Sequence, residues 1–297
     1  MQPGGASRKN SAAADYKARP VQWPGAIREP VLRGSVVILL YLAAVAAAVH
    51  SARRPDGRSA LREPALYLAV AGWLAHAFWL AGAVGPLGEV AMSIADSASL
   101  MGLVIGAGGV IALLSPAYRS IAALMLGIAA MLAAGTGSLP QTREVAGAGW
   151  PLAVHITLAL GSAGMFAVAA VLVILLALQD RQLRSKRPAK WLTSLPPVES
   201  LEHAMFTVIG TGLAALTVAI LAGLLFVTNL FAQHLIHKTT LALVAWLIFA
   251  VLLIGRRRFG WRGRKAAAYT ITGFVVLALA YFGSKFVLEF LLGRHWG

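Results

Sequence analysis

The sequence predicts an all-α, polytopic transmembrane helical bundle of about eight spans, and three observations carry that prediction. Apolar runs, each near the ~20 residues a helix needs to cross a bilayer, fill the chain from Val31 to Leu292. The charges collect almost entirely between those runs. At 59% hydrophobic and 12% charged residues, with a mean hydropathy of +0.75, the composition is far from a soluble globule, where roughly half the residues are apolar and about a quarter charged.

Residues 1–30 are rich in Gly, Pro, Ala, Arg and Lys without apolar periodicity, and lack the apolar core and cleavage pattern of a signal peptide. A disordered basic tail is expected there, followed by one membrane domain over residues 31–297. The first span runs from about Val31 to His50 and the second from about Ala65 to Val84, ending at Gly85-Pro86. A third covers Ser93 to Leu114 and a fourth Ile121 to Thr136, with Tyr118 and Arg119 in the turn between them. The fifth, Leu152 to Leu178, is followed by the most polar stretch of the chain, Asp180 to Ser200. The sixth extends from Met205 to Leu230, the seventh from Thr239 to Gly255 and the eighth from Ala266 to Leu292.

A net charge of +15 would point to nucleic acid in a soluble protein. Here the cations sit in particular loops, which is how membrane insertion is steered, so nucleic-acid binding is not expected. The loops at Arg53–Arg62, Arg181–Lys190 and Arg256–Lys265 alternate with nearly neutral ones. They predict that both termini lie outside the cytoplasm, although the tail cations Arg8, Lys9, Lys17, Arg19, Arg28 and Arg33 pull the other way. Cysteine is absent, which excludes disulfides, thiolate metal sites and CxxC redox chemistry. Gly102, Gly106, Gly108, Gly109, Gly161 and Gly164 read as sites of close helix packing.

Ionisable groups inside a bilayer are costly and tend to mark function. His76 stands within the second span with Trp73 and Trp79 three residues to either side, so helical spacing brackets an imidazole with two indoles. That surface suits a flat aromatic ligand; a buried histidine hydrogen-bonded to a neighbouring helix is the other reading. His155 lies one turn inside the non-basic end of the fifth span, after Trp150 and Pro151. A neutral imidazole there suits an axial haem ligand, or equally an interfacial histidine bonded to a loop carbonyl. His234 and His237 are three apart but have no third ligand nearby for zinc. His295 adjoins Trp296 near the C-terminus on the same side, while His50 and His203 sit at basic-loop ends. Glu89, Asp96 and Glu289 do not form a mid-membrane acid chain, and the absence of GxxxxGK[ST] and HExxH removes P-loop ATPase and zincin readings. No catalytic constellation emerges, so enzymatic turnover is not expected.

From the fifth span onward several segments occur in a familiar order: Val154-His-Ile156, Leu195-Pro-Pro-Val-Glu-Ser-Leu-Glu202 with Met205-Phe206, Val244-Ala-Trp-Leu-Ile-Phe249, Gly260-Trp-Arg-Gly-Arg264 and Ala280-Tyr-Phe-Gly-Ser284. Together with Ala75-His-Ala77 and the opening of the third span, they resemble the YpjD group of the cytochrome c assembly superfamily, beside the CcsA, CcmC and HemX branches, over residues 34–292. The resemblance implies a helical, haem-handling protein of the bacterial inner membrane, with haem and other cytochrome c maturation proteins as partners. It places His155 at the first external haem ligand and, less directly, His295 near the second. One departure stands out: the loop that carries a tryptophan-rich haem platform in the CcsA and CcmC branches reads Phe231-Ala-Gln-His-Leu-Ile-His-Lys238. The cofactor-binding candidates are therefore His155, His76, His295, Trp73 and Trp79, with His155 and His76 as iron ligands. A small-solute or ion permease and a cofactor-free scaffold subunit are the alternative readings.

Overall fold

A computed structural model describes residues 30–52, 62–81, 90–92, 94–138, 144–146, 150–184, 195–226 and 233–283. The expected N-terminal tail falls outside these residues, as do Glu89, Glu289 and His295. The described chain contains eight helices: α1 Pro30–Ala52, α2 Arg62–Ala81, α3 Ile94–Leu113, α4 Arg119–Ser138, α5 Trp150–Leu183, α6 Val198–Phe226, α7 Gln233–Phe259 and α8 Gly263–Ala278. Seven of them are long and apolar enough to cross a membrane. The last, α8, has 16 residues and runs on into a π-helical turn over Leu279–Gly283. The chain is a multi-pass helical membrane protein.

Two features were not expected. Short strands β1 Val90–Met92 and β2 Glu144–Ala146 pair antiparallel, with Val90 opposite Ala146 and Met92 opposite Glu144. They join the loop between α2 and α3 to the loop between α4 and α5, so those loops share one face. Second, α5 is 34 residues long, about 51 Å at 1.5 Å per residue. It outreaches a hydrocarbon core of about 30 Å, and its final turns leave the apolar layer.

Side-chain bonds confirm the alternation of the spans. Arg119, at the start of α4, donates from Nη1 to the Ser51 carbonyl at the end of α1 at 3.4 Å. Gln179 near the end of α5 donates to the Pro196 carbonyl just before α6 at 3.1 Å. Glu202 at the start of α6 accepts from Arg256 at the end of α7 at 3.3 Å. The basic-loop ends of the helices therefore lie together at one face and the strand pair lies at the other.

Two apolar clusters form the interior. One packs α1, α2, α4 and the end of α3 around Val37, Tyr41, Ala69 and Leu126. The other gathers α3 to α8 around Phe166, Leu201, Ile209, Phe249 and Leu252. Helix α5 is the central strut, with most of its span buried. Phe166 of α5 and Phe249 of α7 stack with ring centroids 3.7 Å apart. Without a hydrophobic drive between helices in lipid, such contacts depend on close approach. A Cβ on Gly102 would stand 2.9 Å from Leu132 Cβ, and one on Gly164 2.9 Å from Val104 Cβ. Gly161 has nothing within 4 Å of a built Cβ, so its expected packing role is not seen. Outward side chains such as Leu39, Tyr67, Phe78, Met131 and Leu247 are exposed, as a lipid-facing surface should be.

Candidate functional site

Helical counting puts His76 about a turn and a half before the end of α2, and His155 about a turn and a half after the start of α5. Both ends belong to the face that carries the strand pair, so the two histidines occupy the same membrane half. A small cluster of Leu80, Leu100 and Leu160, with Ile156 and Tyr281 against it, ties together α2, α3 and α5.

His76 is fully buried. Its Nδ1 is 3.3 Å from the Tyr41 hydroxyl of α1, and its Nε2 is 2.7 Å from the Ser99 hydroxyl of α3. A neutral imidazole has one donor and one acceptor, and each hydroxyl serves either role, so both nitrogens are satisfied in either tautomer. Tyr41 reaches the ring because Gly106 leaves room: a Cβ there would stand 2.7 Å from the Tyr41 hydroxyl oxygen. Trp79 leans on His76 at a centroid distance of 6.4 Å with the planes tilted by 38°. Trp73 instead donates its Nε1–H to the Leu103 carbonyl at 3.0 Å. The expected bracket of two indoles is therefore half formed, and both tryptophans pack against the α1–α2–α4 core. In this arrangement His76 ties three helices together and offers iron no free lone pair.

His155 is held differently. Its Nδ1 lies 2.7 Å from the Ala219 carbonyl of α6, which can only accept, so Nδ1 carries the proton and donates. Nε2 is left with its lone pair available and no hydrogen-bond partner among the described residues. The ring sits over Gly223, where a Cβ would be 2.9 Å from His155 Cε1. A metal-binding histidine is typically oriented by such a bond from its second nitrogen to a backbone carbonyl. The donor chemistry at His155 thus fits an iron ligand, and that at His76 does not. Side chains of His234 and His237 lie outside the described residues, although both belong to α7. Among the described residues no three His, Asp or Glu side chains group closely enough to hold a metal ion.

At the basic-loop face, Glu202 is buried and takes two hydrogen bonds from Arg262 Nε, at 2.8 and 3.1 Å, besides the one from Arg256. This hydrogen bond and the carboxylate's charge hold the Arg262 guanidinium above its ordinary pKa. Gly260 and Gly263 adopt φ of +62° and +57°, a left-handed conformation that β-carbons disfavour. These two residues let the α7–α8 turn fold back so that Trp261 N–H bonds the Gly255 carbonyl at 3.2 Å. The Trp261 ring then lies 5.0 Å from Tyr269. The sequence pattern contained both Gly260-Trp-Arg-Gly-Arg264 and the segment ending at Glu202 but not their pairing, which only the fold brings about.

The family model for "Cytochrome C assembly protein" matches residues 67–292. Inner membrane protein YpjD of Escherichia coli (strain K12) is 39% identical over 138 residues, 46% of this chain and 52% of that protein. Cytochrome c biogenesis protein CcsA of Gloeothece citriformis is 32% identical over 114 residues, 38% of this chain and 35% of that protein. The CcsA of Microcystis aeruginosa is 35% identical over 100 residues, 33% of this chain and 30% of that protein. The match therefore spans about half the length of the YpjD relative and about a third of the CcsA proteins. No solved structure matches the chain.

Proposed function

This chain belongs to the cytochrome c assembly protein family, and we propose that within it the chain binds haem as cargo in the bacterial inner membrane and presents it near the strand-pair face. One observation carries the reading: His155 is anchored through Nδ1 to Ala219 while Nε2 remains open. The anchor fixes the tautomer and ring plane before ligand arrives, which lowers the ordering cost of binding. The names of the relatives, a cytochrome c biogenesis protein and an inner membrane protein, support the same assignment.

The chain's part is to hold and release rather than to transform. His155 would hold the iron through Nε2, and Gly223, lacking a Cβ, leaves room for the ring to lie against α6. Haem held through one protein ligand would have a single bond to break on release, which suits delivery to other maturation proteins. Residues 231–238 carry no tryptophan, which favours a carrier over a ligase. The permease alternative relied on His76 as its polar group within the membrane, and that ring is engaged on both nitrogens.

The test is an absorbance spectrum of the purified protein in mild detergent with haem added. A Soret band is expected in the wild type, lost in His155→Ala and restored in His155→Gly by added imidazole. A spectrum unchanged by His155→Ala overturns the ligand assignment. No Soret band at all, together with a stoichiometric co-purifying partner, favours the scaffold reading instead.

A further inference from the structure

At the opposite end of α5 from His155, a cavity of about 580 Å³ opens between α5, α6 and α8, within the ~300–1,000 Å³ typical of ligand sites. Its walls are apolar, formed by the buried Val173, Met205 and Ala266 with Leu176, Ala177 and Ala267 nearer the surface. Its rim is charged, with Asp180, Arg181, Arg184 and Arg264 around the opening and Glu202 in its wall. The two acids are already engaged. Asp180 pairs with Arg184 at 3.2 Å, and Glu202 is held by Arg262 and Arg256. Arg181 and Arg264 are exposed, and neither has an ion-pair partner among the described residues. Ile174 and Leu178, on the same turns of α5, are exposed on the outside of the bundle, so the cavity adjoins lipid where the helix leaves the hydrocarbon layer.

We infer that this cavity seats an anionic glycerophospholipid, its phosphate on Arg181 and Arg264 and one acyl chain against the α5, α6 and α8 walls. An occupant must be apolar along its length and anionic at one end, and must enter from the side, which a membrane lipid does without leaving its leaflet. Guanidinium groups bind phosphate in a planar, two-point fashion, and basic pockets between transmembrane helices select anionic headgroups. The site is separate from His155, about 38 Å away by the 25 residues of α5 between His155 and Asp180, so its test does not depend on haem.

The experiment uses the full chain in nanodiscs of mixed phosphatidylglycerol and phosphatidylcholine, then detergent extraction and mass spectrometry of retained lipid. Wild type is expected to retain phosphatidylglycerol at least fivefold over phosphatidylcholine, and Arg181→Ala with Arg264→Ala to bring the ratio near one. Ala177→Trp, which puts a bulky ring on the apolar wall but keeps both arginines, should also lose the lipid. Arg257→Ala with Arg258→Ala, exposed cations that do not line the cavity, should leave retention unchanged. Equal losses in that control would show general surface attraction and overturn the site. So would retention that survives Ala177→Trp, or displacement of the lipid by millimolar inorganic phosphate alone, which would identify a headgroup-only anion site.

Discussion

The two inward histidines of one membrane half differ in what holds them. His76 is clasped by hydroxyls on both nitrogens, from α1 and α3, and is fully buried. His155 is fixed on one nitrogen by a backbone carbonyl of α6 and is half-buried. In a low-dielectric interior a satisfied polar group contributes rigidity, whereas a group satisfied on one side and open on the other is poised to bind. The same side chain is therefore closed on both nitrogens in α2 and leaves one nitrogen open in α5. Its identity was visible in the sequence, but its role is decided by what neighbouring helices bring to the ring.

The largest expected effect on stability falls on the first of the pair. His76→Ala leaves the Tyr41 and Ser99 hydroxyls without their shared partner, at about 1–3 kcal/mol for each buried group. Thermal unfolding in detergent should show it, while the Soret band with added haem remains. A His76→Ala protein that melts like wild type would break the contrast between the two sites. Next comes Glu202→Ala, which strips the buried carboxylate from Arg256 and Arg262. Since both arginines reach water, the cost should be about 2 kcal/mol rather than the ~3–5 kcal/mol of a fully buried pair, read in the same melt.

Gly106→Ala sharpens the comparison further. A methyl group at that position collides with the Tyr41 hydroxyl and should destabilise by about 1–3 kcal/mol. Tyr41→Phe should be milder, because it deletes the hydroxyl without pushing on the helix. If the two variants melt together, the tyrosine bond rather than the space beside it governs the packing of α1. The smallest stability effect, about 1 kcal/mol for one lost hydrogen bond, is expected at His155→Ala. It is also the change that should abolish haem absorbance, so stability and spectrum should rank the two histidines in opposite order.

Much of the architecture was legible along the chain. The apolar runs forecast α1 through α7 to within a few residues at most ends, and Gly102, Gly106 and Gly164 were read correctly as points of close approach. The start of α6 was placed seven residues late, at Met205 rather than Val198, because the polar stretch from Asp180 to Ser200 masks the first turn of the helix. Burying Glu202 becomes acceptable only when Arg256 at the end of α7 and Arg262 in the α7–α8 turn arrive, 54 and 60 positions later. The strand pair escaped notice because three-residue strands carry no periodicity, and their pairing joins loops more than fifty positions apart.

Hydrophobic length and the spacing of charges by themselves determined that this is a multi-span helical membrane protein and where its helices lie, because the bilayer imposes those rules on each segment independently. The aromatic and imidazole candidates were also nameable from the sequence. Tertiary structure alone decided which histidine is locked and which is open, since Tyr41, Ser99 and the Ala219 carbonyl are brought to those rings by other helices. A hydrogen bond is a property of two partners at one distance, and a linear pattern records only one of them.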